Sequence, residues 1–368
     1  MKVNFVDLKA QYESIKGEIH EAIHQVIENT AFAAGPFVKE FEGAFARAHQ
    51  SKFCVGVNSG TSALHAALMC LGVGPGDEVI VPANTFFATP EAVSLTGAVP
   101  VFVDCDTQYY NMDPHGVEAA ITERTRAVIP VHLYGQPAQL DKIKGITDRH
   151  KLLLIEDCAQ AHLAEFRGKP VGTTGAVGCF SFYPGKNLGA YGEGGAVLTD
   201  DEALYRKLLA FRDHGSFRKY YHDFIGHNYR MEGFQGAILN VKLKYLSTWI
   251  EQRRKNAALY RRYLKECEEV SLPEEMPDTR HVYHLFVVRV PRRDRLQEYL
   301  KEHNIYTGIH YPIPCHLQKA YETLNYRRGN FPACERYADE ILSLPMFAEL
   351  EEEEIACVAE KIAHFYRG

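Results

Sequence analysis

Residues 151–200 read KLLLIEDCAQAHLAEFRGKPVGTTGAVGCFSFYPGKNLGAYGEGGAVLTD. Three apolar runs stand out, KLLLIED, GCFSFYP and GGAVLTD, each closed by an acid or by Pro and Gly. Continuous apolar runs of this length, bounded by turn residues, describe strands buried on both faces. Working outward towards the N-terminus, the same signature recurs in RAVIPVHLYG, PVFVDC, DEVIVPANTF and FCVGVNSG, with a helical segment, TSALHAALMCLG, after the first strand. Strands alternating with helices predict an α/β fold with a mostly parallel central sheet flanked by helices, from residue 53 to about 235.

The flanking regions differ. Asp7 is placed to cap a helix whose apolar residues Leu8, Tyr12, Ile15, Ile19, Ile23 and Val26 share one face. Residues 29–36 read as a loop, and a second amphipathic helix carries Val38, Phe41 and Phe45. Beyond about residue 240 come Arg- and Lys-rich helical segments and a strand, HLFVVRV. The basic run at 252–262 reads as a solvated helix face. A last helix has Glu351 to Glu354 in its first turn, where acids suit the dipole, and lines up Ile355, Val358, Ile362 and Phe365. The expected division is a large domain over 1–238, including the N-terminal helix, and a smaller α+β C-terminal domain over 239–368.

The chain has 368 residues, is 46% hydrophobic and 24% charged, and carries a formal charge of −6. That acidic balance argues against nucleic acid as a partner. No stretch approaches the roughly 20 apolar residues of a membrane span, and the charged N-terminus lacks a signal-peptide core; a cytoplasmic protein is expected. Nine cysteines without a CxxC pair read as buried free thiols in a reducing compartment. Seventeen histidines raise the question of a metal, and none is expected.

Four segments carry chemistry. Asn58-Ser59-Gly60-Thr61-Ser62-Ala63 joins a strand to a helix, so its amides and hydroxyls suit a phosphate. Ile155-Glu156-Asp157-Cys158-Ala159-Gln160 delivers an acidic pair at a strand's C-terminal end, where open α/β sheets bind ligands. Ser181-Phe182-Tyr183-Pro184-Gly185-Lys186 puts a lysine in a turn just after a strand, and a desolvated lysine becomes a nucleophile or base. Gly192-Glu193-Gly194-Gly195 allows close backbone approach beside it. Each segment alone is a weak signal. Together they match the needs of pyridoxal phosphate (PLP): an imine-forming lysine, a carboxylate for the pyridine nitrogen, a phosphate cup and a flat ring cover. Phe86, ending DEVIVPANTF, can supply the cover.

Over nearly its whole length the sequence resembles the nucleotide-sugar aminotransferases of the DegT/StrS family. The resemblance lies in GPFVKEFE, NSGTSALHAAL, GPGDEVIVPANTFFAT, VHLYGQP, IEDCAQAH, SFYPGKNLGAYGEGG, GHNYRMEGFQGAIL and HYPIPCH. It implies the PLP-dependent transferase fold of type I, with Lys186 carrying the cofactor and Asp157 pairing with the pyridine nitrogen. Gln160 would lie near the ring hydroxyl, Phe86 on the ring, and Gly60, Thr61 and Ser181 at the phosphate. Asn228 would reach the phosphate from the neighbouring subunit of a homodimer with shared active sites. Arg230, His310 and Tyr311 would lie near the sugar nucleotide. The implied reaction moves an amino group from L-glutamate to a nucleotide-diphosphate keto sugar, with the cofactor alternating between PLP and pyridoxamine phosphate. Relatives that dehydrate the sugar replace the lysine with histidine, and Lys186 disfavours that branch. The SFYPGKNLGA and HYPIPCH forms resemble the C3-aminating members, so the expected acceptor is a dTDP-linked 3-keto-6-deoxyhexose. A UDP-linked 3-keto uronic acid, a 4-keto sugar, a sugar dehydratase and a non-catalytic regulator are the alternatives.

Overall fold

The computed structural model describes residues 1–367. The chain runs α1 (Leu8–Glu28), α2 (Pro36–Ala48), β1 (Phe53–Val57), α3 (Gly60–Cys70), β2 (Glu78–Pro82), α4 (Ala88–Leu95), β3 (Val99–Val103), α5 (Pro114–Ala119), β4 (Thr125–Val128), α6 (Leu140–His150) and β5 (Leu153–Asp157). It continues with the short β6 (Glu165–Phe166) and β7 (Lys169–Pro170), then β8 (Val177–Ser181), β9 (Gly195–Thr199), α7 (Glu202–Phe211), α8 (Gly233–Leu243) and α9 (Leu246–Leu264). The last elements are β10 (Thr279–Arg280), β11 (Phe286–Arg289), α10 (Arg293–Glu302), α11 (Pro332–Glu340), β12 (Ile341–Leu344) and α12 (Glu352–Arg367).

Seven strands form the main sheet in the order β1-β9-β8-β5-β4-β2-β3. Only β9 runs against its neighbours; the pairs β2–β3, β2–β4, β4–β5 and β5–β8 are parallel. Strands β2 and β9 are buried along their whole length, which explains their unbroken apolar reading. Helices cover both faces, so the mostly parallel α/β sheet expected from the apolar runs is what forms.

The helix ends follow local chemistry. Asp7 accepts hydrogen bonds from the Lys9 and Ala10 amides and caps α1, whose buried face is Gln11, Ile15, Ile19 and Val26. Gly35, at φ 87°, turns the chain so that Pro36 can open α2, and Val38, Phe41 and Phe45 are buried from that helix. Ile355, Val358, Ala359 and Ile362 of α12 join Val3 and residues of α9, α10, β11 and β12 in a second core. The expected boundary at 238/239 falls within α8. β11 pairs antiparallel with β12, a partner strand that its four-residue length had hidden.

The basic run on α9 is not a simple solvated face. Arg253 is buried and donates to the carbonyls of Tyr283, His284 and Met346. Arg254 and Arg261 likewise donate to the carbonyls of His281 and Pro273. Guanidinium groups with several fixed donors can satisfy loop carbonyls that no strand reaches, and that need overrides the charge pattern. All nine cysteines are free thiols; Cys267 and Cys357 are half-buried and the others buried. No described helix is long and apolar enough to cross a membrane.

Candidate active site

Sheet register assembles the site. Asp157 ends β5 directly beside Cys179 of β8, and β8 leads two residues later into the turn that carries Lys186. On the other flank, Gly195 of β9 pairs with both Val57 of β1 and Ser181 of β8. The start of α3 is thereby drawn against the end of β8. A Cβ on Gly60 would sit 2.6 Å from the Ser181 Cβ, and one on Gly195 would sit 2.2 Å from the Ser59 carbonyl oxygen. Only glycine allows backbone this close. Ser59 caps α3 by accepting from the Ser62 amide at 3.0 Å. The amides of Gly60 and Thr61, in the first turn, have no intrahelical acceptor, so the Gly60–Thr61–Ser181 corner is built for an anion.

The lysine turn is closed on itself. The Lys186 amide donates to the Tyr183 carbonyl at 2.8 Å, and the Ala190 amide to that of Phe182 at 2.7 Å. Lys186 is half-buried. Burial lowers its pKa to about 8, against the opposing pull of the Asp157 carboxylate. Three neighbouring histidines, His162, His284 and His310, are pushed down by burial and by the Lys186 charge, His310 to about 4. All three are thereby held neutral at physiological pH.

Asp157 is buried, and burial raises its pKa against the pull of the Ala159 amide, the Thr89 hydroxyl and Lys186. The Thr89 hydroxyl donates to its Oδ2 at 2.8 Å, and Thr85 lies 2.9 Å behind Thr89. Gln160 accepts from the Tyr134 amide at 2.6 Å and donates to the Tyr311 hydroxyl at 3.0 Å. The Tyr311 ring stands 5.6 Å from that of Phe86, which is 56% exposed at the mouth of the pocket. His310 is held by Ser343 at 2.8 Å, stacks on Phe5, and accepts the Tyr134 hydroxyl on its carbonyl at 2.5 Å.

Lys186, Asp157, Gln160, Phe86, His310 and Tyr311 therefore form one linked cluster, with Gly60, Thr61 and Ser181 on its flank. Asn228 and Arg230 lie on a segment bridged to β1 and to Asp213. The Arg230 side chain pairs with Asp213, and Asn228 is exposed. Thr89, Tyr134 and His162 belong to the site without having been singled out. Their only signal was membership of the quoted stretches FFAT, VHLYGQP and IEDCAQAH.

Behind the site, Glu156 is fully buried. It accepts from the amides of Gly172, Thr174 and Gly175 at 2.7–2.8 Å and from His132 Nε2 at 3.1 Å. One zinc-like spacing bears on the expectation of no metal: His20-Glu21-Ala22-Ile23-His24 on α1. Both of its imidazoles are exposed, and His20 Nε2 lies 2.6 Å from the Tyr12 hydroxyl. The close ligand-type groups among the described residues are elsewhere, Asp104/Cys105/Cys334 and His132/Glu156/Cys158. In both groups backbone amides occupy the carboxylate.

Comparison with known proteins places the chain among sugar aminotransferases and their relatives. The chain is 48% identical to a pleiotropic regulatory protein of Geobacillus stearothermophilus, over 100% of this chain and 99% of that one. It is 46% identical to the dTDP-3-amino-3,4,6-trideoxy-alpha-D-glucose transaminase of Streptomyces venezuelae, over 95% and 92%. The crystal structure of S. venezuelae DesV, in complex with a ketimine intermediate, superposes with a TM-score of 0.98 at 44% identity, covering 100% of this chain and 99% of that one. The pattern of the DegT/DnrJ/EryC1/StrS aminotransferase family matches residues 13–363. With Lys186 set toward the buried Asp157 carboxylate beside the glycine-built Gly60–Ser181 corner, and with that match over nearly its full length, the chain belongs to the DegT/DnrJ/EryC1/StrS aminotransferase family.

Proposed function

We propose that this protein is a PLP-dependent aminotransferase that moves an amino group from L-glutamate to C3 of a nucleotide-linked keto sugar, a dTDP-linked 3-keto-6-deoxyhexose. The observation that carries the reading is Lys186, with its pKa brought to about 8, facing Asp157 across the pocket. The residues present fit the cofactor: Gly60, Thr61 and Ser181 would hold its phosphate, Phe86 would cover its ring, and Gln160 would lie beside the ring hydroxyl. When bound, PLP supplies an electron sink for the broken Cα–H bond of the amino donor.

The chain's own residues do the rest. Asp157 holds a proton at the pyridine nitrogen, and a cation there favours its carboxylate form. Thr89 orients the Asp157 carboxylate. Lys186 Nζ takes the proton from the donor Cα, a task suited to an amine that is substantially neutral near pH 8. His310 and Tyr311, with Arg230, border the sugar nucleotide. Residues 1–238 form the cofactor-holding unit of a cytoplasmic homodimer, with Asn228 of the partner subunit at the phosphate. The dimer is supported by exposed apolar side chains on the 217–225 loop, Tyr220 at 81% and Ile225 at 88%.

The test is an absorbance spectrum of the purified protein with PLP, before and after L-glutamate, then with a panel of 3-keto and 4-keto nucleotide sugars. The expected result is a visible band that glutamate removes and one 3-keto sugar restores, with both the band and turnover lost in Lys186→Ala. A band that glutamate leaves untouched would refute transamination, and recovery only with 4-keto sugars would refute C3.

A further inference from the structure

Lys242 lies on α8, away from the pocket, yet its side chain is 1% exposed. Lysine is almost never buried this deeply without a partner. Its Nζ donates to the Gly189 carbonyl at 2.5 Å and lies 5.0 Å from the centre of the Tyr191 ring. The Tyr191 amide in turn donates to Gln235 Oε1 at 3.0 Å, two helical turns earlier on α8. One helix thus grips residues 189–191 at both ends. Gly189 is the third residue after Lys186, and its Cα packs so tightly on the Pro184 carbonyl that a Cβ would lie 2.2 Å from the oxygen. Residues 184–189 therefore form a closed loop, with Lys186 inside it and the Lys242 contact at its base.

We propose that Lys242 is a positioning residue for Lys186: its ammonium clamps the Gly189 carbonyl at the base of the lysine loop and fixes that loop to α8. The functional consequence rests on the reading of Lys186 as the cofactor lysine; the mechanical claim does not. A lost charge-assisted hydrogen bond is worth about a tenfold change in local opening or more.

The experiment compares Lys242→Met with wild type as apo protein. Amide hydrogen exchange is followed over residues 185–191, together with the rate at which added PLP develops its visible band. The expected result is loop exchange faster by about tenfold and slower PLP capture, with exchange in β5 and α3 unchanged. A folded variant whose loop exchanges as in wild type overturns the proposal. Wild-type protein that captures no PLP refutes the cofactor reading instead, and loop exchange alone then judges Lys242. If Lys242→Met does not accumulate folded, Lys242→Gln, which drops the charge on the Gly189 contact, takes its place. Loop exchange raised about threefold supports the clamp, and wild-type exchange overturns it.

Discussion

Glu156→Gln changes one atom behind the active site and has a consequence that can be worked out from the hydrogen bonds. Glu156 Oε1 accepts the amides of Thr174 and Gly175, and Oε2 accepts the Gly172 amide and His132 Nε2. His132 Nδ1 accepts the Ala138 amide at 2.9 Å, so the ring proton must sit on Nε2. Whichever way a glutamine is turned, its amide nitrogen faces two donors, and neither histidine tautomer resolves the conflict. Two unsatisfied donors cost about 2–6 kcal/mol, and relief of the buried charge offsets part of that, for a net loss of about 3 kcal/mol. At roughly 2.1 cal/mol/K per residue this lowers Tm by about 4 °C. The pH dependence has a definite sign. Burial works to raise the Glu156 pKa, but His132 and the backbone amides win and hold it below the ordinary carboxylate value. Its contribution is therefore complete above about pH 5 and lost as the pH falls through the folded-state value. Glutamine does not titrate, so the gap between the two proteins should close on acidification. Thermal and urea unfolding of the apo proteins at pH 7.5 and pH 4 would measure it. Because Asp157 follows on β5, PLP affinity should also weaken. A variant within about 0.5 kcal/mol of wild type at pH 7.5, or a gap that widens in acid, would refute the argument.

Gly60→Ala places a methyl 2.6 Å from the Ser181 Cβ; it should weaken PLP binding by about tenfold or more, measured by equilibrium dialysis, and unchanged affinity would contradict the phosphate corner. Thr89→Val removes the hydroxyl donor on Asp157 Oδ2. The Asp157 pKa should rise further, and titration of the visible band of the holoenzyme should shift from wild type. Burial, opposed by Asp157, brings Lys186 to about 8, so the neutral amine grows as pH rises. PLP capture by the apo protein should accelerate about tenfold between pH 7 and pH 9, and a flat or falling profile would show that the amine is not the titrating group.

The large-domain strands and the lysine turn were legible because their signals are local. A run such as EVIVP or GAVLT announces a strand buried on both faces, and Pro184-Gly185 announces a turn whose next residue is the lysine. Local signals also misled: the arginines of α9 read as solvated because charge is a surface signal until loop carbonyls, 12 to 93 residues away, need donors. The short β12 gave too few residues for any period to show.

Family motifs carried Lys186, Asp157 and the phosphate corner from the sequence. The sequence offered Glu156 and Asp157 as an acidic pair; adjacent strand residues point to opposite faces, and the strand alone does not say which face takes which role. The placement of β5 between β4 and β8 decides that: Asp157 turns to Thr89 and Lys186, and Glu156 to His132 and the Gly172–Gly175 turn. Contacts such as Thr89 with Asp157, Gly60 with Ser181 and Lys242 with Gly189 join residues 53 to 121 positions apart. Sequence spacing has no period at that range. Only the register of the sheet and the packing of α8 bring these groups together, and the lowering of the Lys186 pKa follows from that burial.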